Sequence, residues 1–464
     1  MFIGREAELA ALGADFSSSD KTAVLVYGKR RVGKSTLIGQ ASRDFAGITV
    51  YHTCARTTLQ GGIQLMCRSV SQALGLPDFT VSTIPDLFQL LRARTEQILF
   101  VVDEYQYLKE AGAKGEVDSL MQIVIDNLPP NVKLVLCGSY VTVMRELLDE
   151  DNPLFGRFTR TIFLKEMDYL DAARFYPHLS VCDRIAFYAV FGGSPYVLKQ
   201  VCRYNSLETC VKELLLPPES VLRTHVEHIM LAEVRKSFDV RILQAIGNGR
   251  KRYSQIAQVL GDDGNGLLSK QLVALIDMET ISKSTPINRA DNRRKTFYQI
   301  QDNLMRFYFT YLFASGARIA RIGEAAFWES EVGQTLTEFI SLRFEEVAAQ
   351  YFGRRARQGS IPGVQDIGSY WYDDPARHAN GQFDCVVKRD AGLDVYEVKY
   401  YTAPMMLDEC QEEERQVRRA PGLEGAGIGF VCSAGFGFTS DDYELVSGED
   451  LYDTSLLPTT TDQF

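Results

Sequence analysis

The sequence lacks paired cysteines. Its nine cysteines, at 54, 67, 137, 182, 202, 210, 385, 410 and 432, are scattered and never spaced as C-x-x-C. That argues against a zinc ribbon or a disulfide-stapled scaffold and for a reducing compartment. No apolar run approaches the roughly 18 residues a membrane span needs. The opening MFIGREAELAAL carries acids where a signal peptide has its apolar core. Positive charge is not in excess either, since the formal net charge is −10. This is no simple basic nucleic-acid coat, although a locally basic domain is compatible with it. Internal repeats and low-complexity segments are absent. The expectation is a soluble, cytoplasmic chain without a membrane partner.

The chain has 464 residues, of which 45% are hydrophobic and 24% charged. Those proportions are ordinary for a globular protein, and the length allows roughly three domains. From 22 to about 140, four short apolar runs alternate with helical patterns. The runs are TAVLVYG (22–28), GITVYHTC (47–54), QILFVVDE (97–104) and KLVLCGS (133–139). Alternation of that kind predicts a parallel sheet covered on both faces.

GKRRVGKST (28–36) fits G-x-x-x-x-G-K-S/T between a strand and a helix. Glycines at 28 and 33 let the backbone N–H groups of Arg31, Val32, Gly33 and Thr36 wrap phosphates at a helix N-terminus. Lys34 is assigned to the β/γ-phosphates of ATP and Ser35 to Mg²⁺. The run ILFVVDE ends in two acids. Asp103 is expected to help hold Mg²⁺ and Glu104 to orient a water. Ser139 reads either as a sensor of the γ-phosphate or as a helix N-cap.

FIGREAEL, the P-loop, VVDE and the CGS strand end together resemble the prokaryotic, archaeal-type AAA+/STAND ATPase family over about residues 1–235. The resemblance implies that Phe2 to Glu6 pack by the adenine and that Gly193-Ser194-Pro195 is the lid turn near the nucleotide. A plain helix start with Pro195 at its first position reads equally well. By the same analogy FGRFTR (155–160) offers Arg157 as an arginine finger for a neighbouring copy in a homo-oligomer. A surface arginine is the alternative.

Residues 166–235 read as a helical lid. From 236 to 323, short helices lead into a hairpin, predicting a winged helix-turn-helix. Residues 240–323 hold thirteen Lys/Arg against six Asp/Glu, with clusters at 250–252 and 293–295. DNA is the expected partner, and protein docking is the other use of such a module. His225 and His228 lack an evident third ligand, so an ordinary role is favoured over a metal pair.

The last region, 324–464, poses its own question. In DVYEVKY (394–400), Glu397 and Lys399 share one face of an otherwise apolar strand. Edge protection or a surface ion pair are the bland answers. Upstream, Asp384 completes Asp–x12–Glu–x–Lys, which resembles the PD-(D/E)xK restriction-endonuclease-like pattern. That resemblance implies metal held by Asp384 and Glu397, help from Glu345 on the preceding helix, and Lys399 beside the reacting water. Gln416 resembles an auxiliary polar residue. The architecture expected is α/β and multidomain: an AAA+ core (1–165), a helical lid (166–235), a winged helix (236–323) and a nuclease-like domain (324–464).

Overall fold

A computed structural model describes residues 2–231, 234, 238–261, 266–288, 296–374 and 379–457. The basic cluster at 293–295 lies outside the described residues. The chain divides into two compact units, 1–166 and 167–457.

The first unit is built on five strands: β1 (Thr22–Tyr27), β2 (Ile48–Thr53), β3 (Ile98–Asp103), β4 (Val132–Gly138) and β5 (Arg160–Phe163). Their order is β2-β3-β4-β1-β5, and every pairing is parallel. The three central strands are buried along their whole length. Helices cover both faces, which is why these strands are continuously Val/Ile/Leu-rich rather than alternating. One apolar layer joins Ile63, Met66, Phe88 and Met121 to Phe100 and Leu134. The other joins Leu12, Leu37 and Ile38 to Val24, Val101 and Val135. The apolar runs foretold four strands. β5 went unseen because RTIF is four residues long and only half-buried at the sheet edge.

The second unit opens with helices from Tyr169 to Thr224 and a π-helical turn, His225–Met230. Helices Arg241–Gly247, Tyr253–Leu260 and Leu267–Asp277 follow, leading to the antiparallel pair β6 (Ile281–Ser284) and β7 (Phe297–Ile300). A mostly helical segment runs from Asn303 to the 22-residue helix Leu336–Arg357. The last strands are β8 (Val364–Asp374), β9 (Ala379–Arg389), β10 (Gly392–Lys399), β11 (Gly427–Cys432) and β12 (Glu444–Ser447), in the order β12-β11-β10-β9-β8. Pairings are antiparallel from β8 to β10 and parallel from β10 to β12. Helix Leu407–Arg419 packs Cys410 and Val417 on one face of this sheet, against Val386 and Val395. Helix Leu336–Arg357 packs Phe344 and Val347 on the other, against Cys385 and Tyr396.

Two contacts bind the second unit internally. Arg354, buried, donates to both Asp168 oxygens at 2.6 Å, to Asp171 Oδ2 at 2.7 Å and to the Leu456 carbonyl at 3.1 Å. Removing one partner from such a buried pair typically costs about 3–5 kcal/mol. Past β6, Ile287 N donates to the Ser369 carbonyl over 2.8 Å, and Asn288 exchanges hydrogen bonds with the Trp371 backbone. This segment covers the open edge of β8, which would otherwise present unpaired backbone.

Candidate functional site

The P-loop leaves β1 at Gly28. A Cβ there would stand 2.2 Å from the Leu164 carbonyl oxygen, so only glycine fits. Gly33, with φ 98°, caps the helix Lys34–Ala41. Arg31 is left-handed too, at φ 69°, a conformation that costs a non-glycine residue roughly 1–2 kcal/mol. Val32 is buried in the core, leaving its backbone for the loop, whereas Ser35 and Thr36 are exposed. Lys34 is 5% exposed and its ammonium donates to the Gly28 and Lys29 carbonyls, both at 2.8 Å. Burial pulls its pKa below the ordinary lysine value, while Cys137, Glu104 and Asp103 pull it back up.

Ser35 Oγ donates to Asp103 Oδ2 over 2.8 Å. These hard oxygen donors suit Mg²⁺, and the buried ammonium with the glycine-bent backbone suits phosphate. Sequence reasoning missed Tyr51, whose hydroxyl donates to the same Asp103 oxygen at 2.6 Å. Its position on neighbouring β2, opposite β3, is visible only in three dimensions.

Glu104 sits in the left-handed region at φ 55°, capping the helix Tyr105–Ala111. Ser139 Oγ donates to its Oε1 over 3.1 Å, and the Gln106 amide donates to its Oε2. The N-cap of the following helix is Tyr140, not Ser139, so the N-cap reading of Ser139 is corrected. Beside them Arg30 donates to the hydroxyls of Tyr107 and Tyr140 at 3.1 and 3.2 Å, and Arg56 donates to Tyr140 at 2.9 Å.

Phe2 packs partly buried on the P-loop layer, and Arg5 donates to the Val32 carbonyl at 3.5 Å. Arg157 donates to Asp126 at 2.9 Å within its own unit. Pro195 is the first residue of its helix, with Ser194 at the N-cap position. Gly193 is held against Met167, whose carbonyl oxygen would lie 1.7 Å from an added Cβ. His225 is buried, with its ring 4.8 Å from Tyr196.

In the second unit, the register Tyr396↔Cys385 runs on to set Glu397 opposite Asp384. Lys399 donates to Glu397 Oε1 at 2.7 Å and pairs with Glu413 at 2.9 Å. Burial raises the pKa of Asp384 and of Glu397, the latter against the pull of Lys399. Burial alone would lower Lys399, but Glu397 and Glu413 outweigh it. Burial, helped by Asp384, pushes Glu345 up to about 8. Lys251, from the turn between the first two helices of the middle segment, acts on both Glu345 and Asp384.

The structure sets Asp384 opposite Glu397 but does not gather Glu345 with them into a three-ligand group. Among the described residues no group of three His, Cys, Asp or Glu side chains stands where it could hold a metal. Glu345 comes from the helix on the opposite face of the sheet, and Lys399 occupies Glu397. Gln416 is exposed, while Glu413, one turn earlier, meets Lys399. Glu346, beside Glu345, pairs with Arg306 at 2.9 Å. All nine cysteines are free, and no helix among the described residues is long and apolar enough to cross a membrane.

A glycine-bent P-loop feeding a helix, beside an acid-ended central strand of a parallel sheet, defines a P-loop nucleotide-binding unit. Residues 2–201 match the model for an ATPase domain predominantly from Archaea. Residues 308–416, which include Glu345, Asp384, Glu397, Lys399 and Glu413, match a model described as archaeal and bacterial proteins of unknown function. The chain is similar to an uncharacterized protein of Methanocaldococcus jannaschii, 26% identical over 379 residues, covering 80% of this chain and 82% of the other. Among solved structures, the Walker-type ATPase of Pyrococcus abyssi is 21% identical with a TM-score of 0.48, covering 66% of this chain and 96% of its own. The Aeropyrum pernix ORC2 protein, in complexes with ADPNP and ADP, is 13% identical with a TM-score of 0.46, covering 68% and 94%. The ATPase-domain match and the P-loop geometry together support ATP binding by the first unit.

Proposed function

We propose that the protein is a Mg²⁺-dependent ATPase whose nucleotide state governs DNA binding or processing by its second unit. The observation that carries the first half is the 2.8 Å bond between Ser35 and Asp103, beside buried Lys34 and tethered Glu104. Ser35 and Asp103 would hold Mg²⁺, which when bound supplies positive charge beside the phosphates. Lys34 exchanges its two carbonyl partners for phosphate oxygens. Glu104 orients the attacking water, with Ser139 and Gln106 fixing its carboxylate.

For the second half, support comes from the exposed Arg250 and Arg252 of the basic turn at 250–252 and from Asp384 facing Glu397 across two strands, with Lys399 bonded to Glu397. In this reading the helices from 241 to 277 and the β6–β7 hairpin are a winged helix on DNA, and the last sheet is nuclease-like. Arg157 acts in a neighbouring copy only after leaving Asp126. A second reading has its own observation: Lys399 is held between Glu397 and Glu413, and Glu345 approaches from the other face. That arrangement favours an ATP-driven switch whose last domain binds without cutting.

Cleavage of supercoiled, linear and branched DNA in Mg²⁺ or Mn²⁺, with and without ATP, separates the two. Cleavage lost in Asp384→Ala supports processing, and coupling is supported if Lys34→Ala abolishes the ATP response. Intact ATP hydrolysis without cleavage of any substrate selects the switch. Absence of ATP hydrolysis by the wild type sinks both.

A further inference from the structure

The second unit carries an open cleft of about 460 Å³ whose lining does not include Asp384 or Glu397. Its volume lies within the range of small-molecule sites. Three cations line it: Lys251 from the turn before Tyr253–Leu260, Arg306 below β7, and Arg343 on the long helix. Arg343 is 7% exposed, and its Nε has no hydrogen-bond partner. Its ion-pair partner, Glu346, stands 4.0 Å away and is bonded at 2.9 Å to Arg306. The Lys251 ammonium makes no hydrogen bond or ion pair with a described residue, yet it lies within electrostatic reach of both guanidiniums. A buried guanidinium N–H without an acceptor costs free energy unless one is supplied.

The charges leave room for such a group. Glu346 is bonded to Arg306 and only loosely approached by Arg343, and Glu345 is shared with Asp384. Glu331 is paired with Arg318, so Lys251 and Arg343 face Glu338 and part of Glu345, and the positive charge that remains suits one anionic group such as the phosphate of a monoester. The Tyr311 and Phe339 rings, 5.7 Å apart, also line the cleft, with the Arg343 guanidinium 5.9 Å over the Phe339 ring. Glu338 also lines it, five residues and so about 7–8 Å of helix rise before Arg343. Its carboxylate can accept from hydroxyl or amine donors, and Glu331 lines the same cavity.

We propose that this cavity binds a small phosphate monoester of the nucleoside monophosphate class, its phosphate on Lys251 and Arg343 and its flat group against Tyr311 and Phe339. The site is distinct from the P-loop and goes beyond the proposed ATPase reading. Because Lys251 also acts on Glu345 and Asp384, occupancy changes the charge around the last sheet.

The test uses the full chain carrying Lys34→Ala, so that the P-loop does not mask a second site. Calorimetric titration with 5′-AMP, inorganic phosphate and adenosine is expected to show AMP binding, with phosphate and adenosine each at least tenfold weaker. Adding Lys251→Ala, a change at a half-buried turn, is expected to weaken AMP at least tenfold with the melting temperature kept. Arg343→Ala would give the same loss, but Lys251→Ala decides if Arg343→Ala fails to fold. No AMP binding up to millimolar concentration, or binding indifferent to Lys251→Ala, overturns the site. Phosphate binding as tightly as AMP overturns the nucleoside assignment.

Discussion

Ser139 Oγ donates to Glu104 Oε1 across 3.1 Å, so the residue that follows β4 holds the acid that follows β3. Glu104 is also bonded by Gln106 and bent into the left-handed region. Strain and tethering at one residue fit a group whose position matters more than its packing.

The two roles separate kinetically. Glu104→Gln is expected to keep ATP binding while lowering kcat for hydrolysis by about 10²–10⁴, the usual contribution of a positioned base. Ser139→Ala only loosens that base, so a fall of about tenfold in kcat with little change in KM is expected. Steady-state hydrolysis and equilibrium ATP binding measure both. A Glu104→Gln variant that hydrolyses ATP at the wild-type rate would remove Glu104 from the mechanism.

Lys34 sets function against stability. Its ammonium is buried and satisfied only by two carbonyls of its own loop. Lys34→Met removes the cost of burying that charge, for a gain of about 1 kcal/mol, or roughly 2–4 °C for a unit of this size. The same change removes charge-assisted bonds to phosphate, worth about 10–100-fold in ATP affinity. Thermal melts with and without Mg²⁺-ATP read both effects. Lower stability of the nucleotide-free variant would contradict this account of Lys34.

Lys399 neutralises acids on the last sheet. It lies between Glu397 and Glu413, with Asp384 opposite Glu397. Lys399→Ala leaves those carboxylates facing one another. Both pairs are about a quarter exposed, so the loss is discounted for screening to about 1–3 kcal/mol. Millimolar Mn²⁺ is expected to restore the variant's melting temperature by more than it raises the wild type's, since the freed acids become oxygen ligands for a cation. Equal Mn²⁺ effects on the two proteins would argue against any cation site there.

What could be read from the sequence follows from how local each signal is. The P-loop, Asp103 and Glu104 were legible because a fixed spacing between a strand and a helix carries the chemistry. Asp384, Glu397 and Lys399 were legible as a pattern, and strand alternation placed Glu397 and Lys399 on one face. Glu413 was not, because a helix crossing the sheet brings it to Lys399, and spacing pointed to Gln416 one turn on. Tyr51, Arg30 and Arg56 meet their partners through sheet order, which no local pattern states. β8 was hidden because VQDIGSYWYDD mixes polar and aromatic residues at an edge that residues 287 and 288 cover.

His52 on β2 makes the first unit acid-sensitive. It is 3% exposed, and its Nδ1 lies 3.0 Å from Ser69 Oγ. Ser69 Oγ also lies 3.1 Å from the Leu65 carbonyl. Nε2 is buried without a hydrogen-bond partner, so the charged ring would carry an unsatisfied N–H there. Protonating it would bury an unsatisfied charge, and burial accordingly lowers the pKa from 6.5 to about 4. The folded state stays neutral where the unfolded chain takes up a proton. Stability from this group is therefore full above pH 6.5 and lost as pH falls toward 4, by up to about 3 kcal/mol. His52→Leu gives up one hydrogen bond but removes the titration. Its melting temperature should fall less than the wild type's between pH 7.5 and pH 5. Equal losses in the two proteins would place the acid sensitivity elsewhere in the unit.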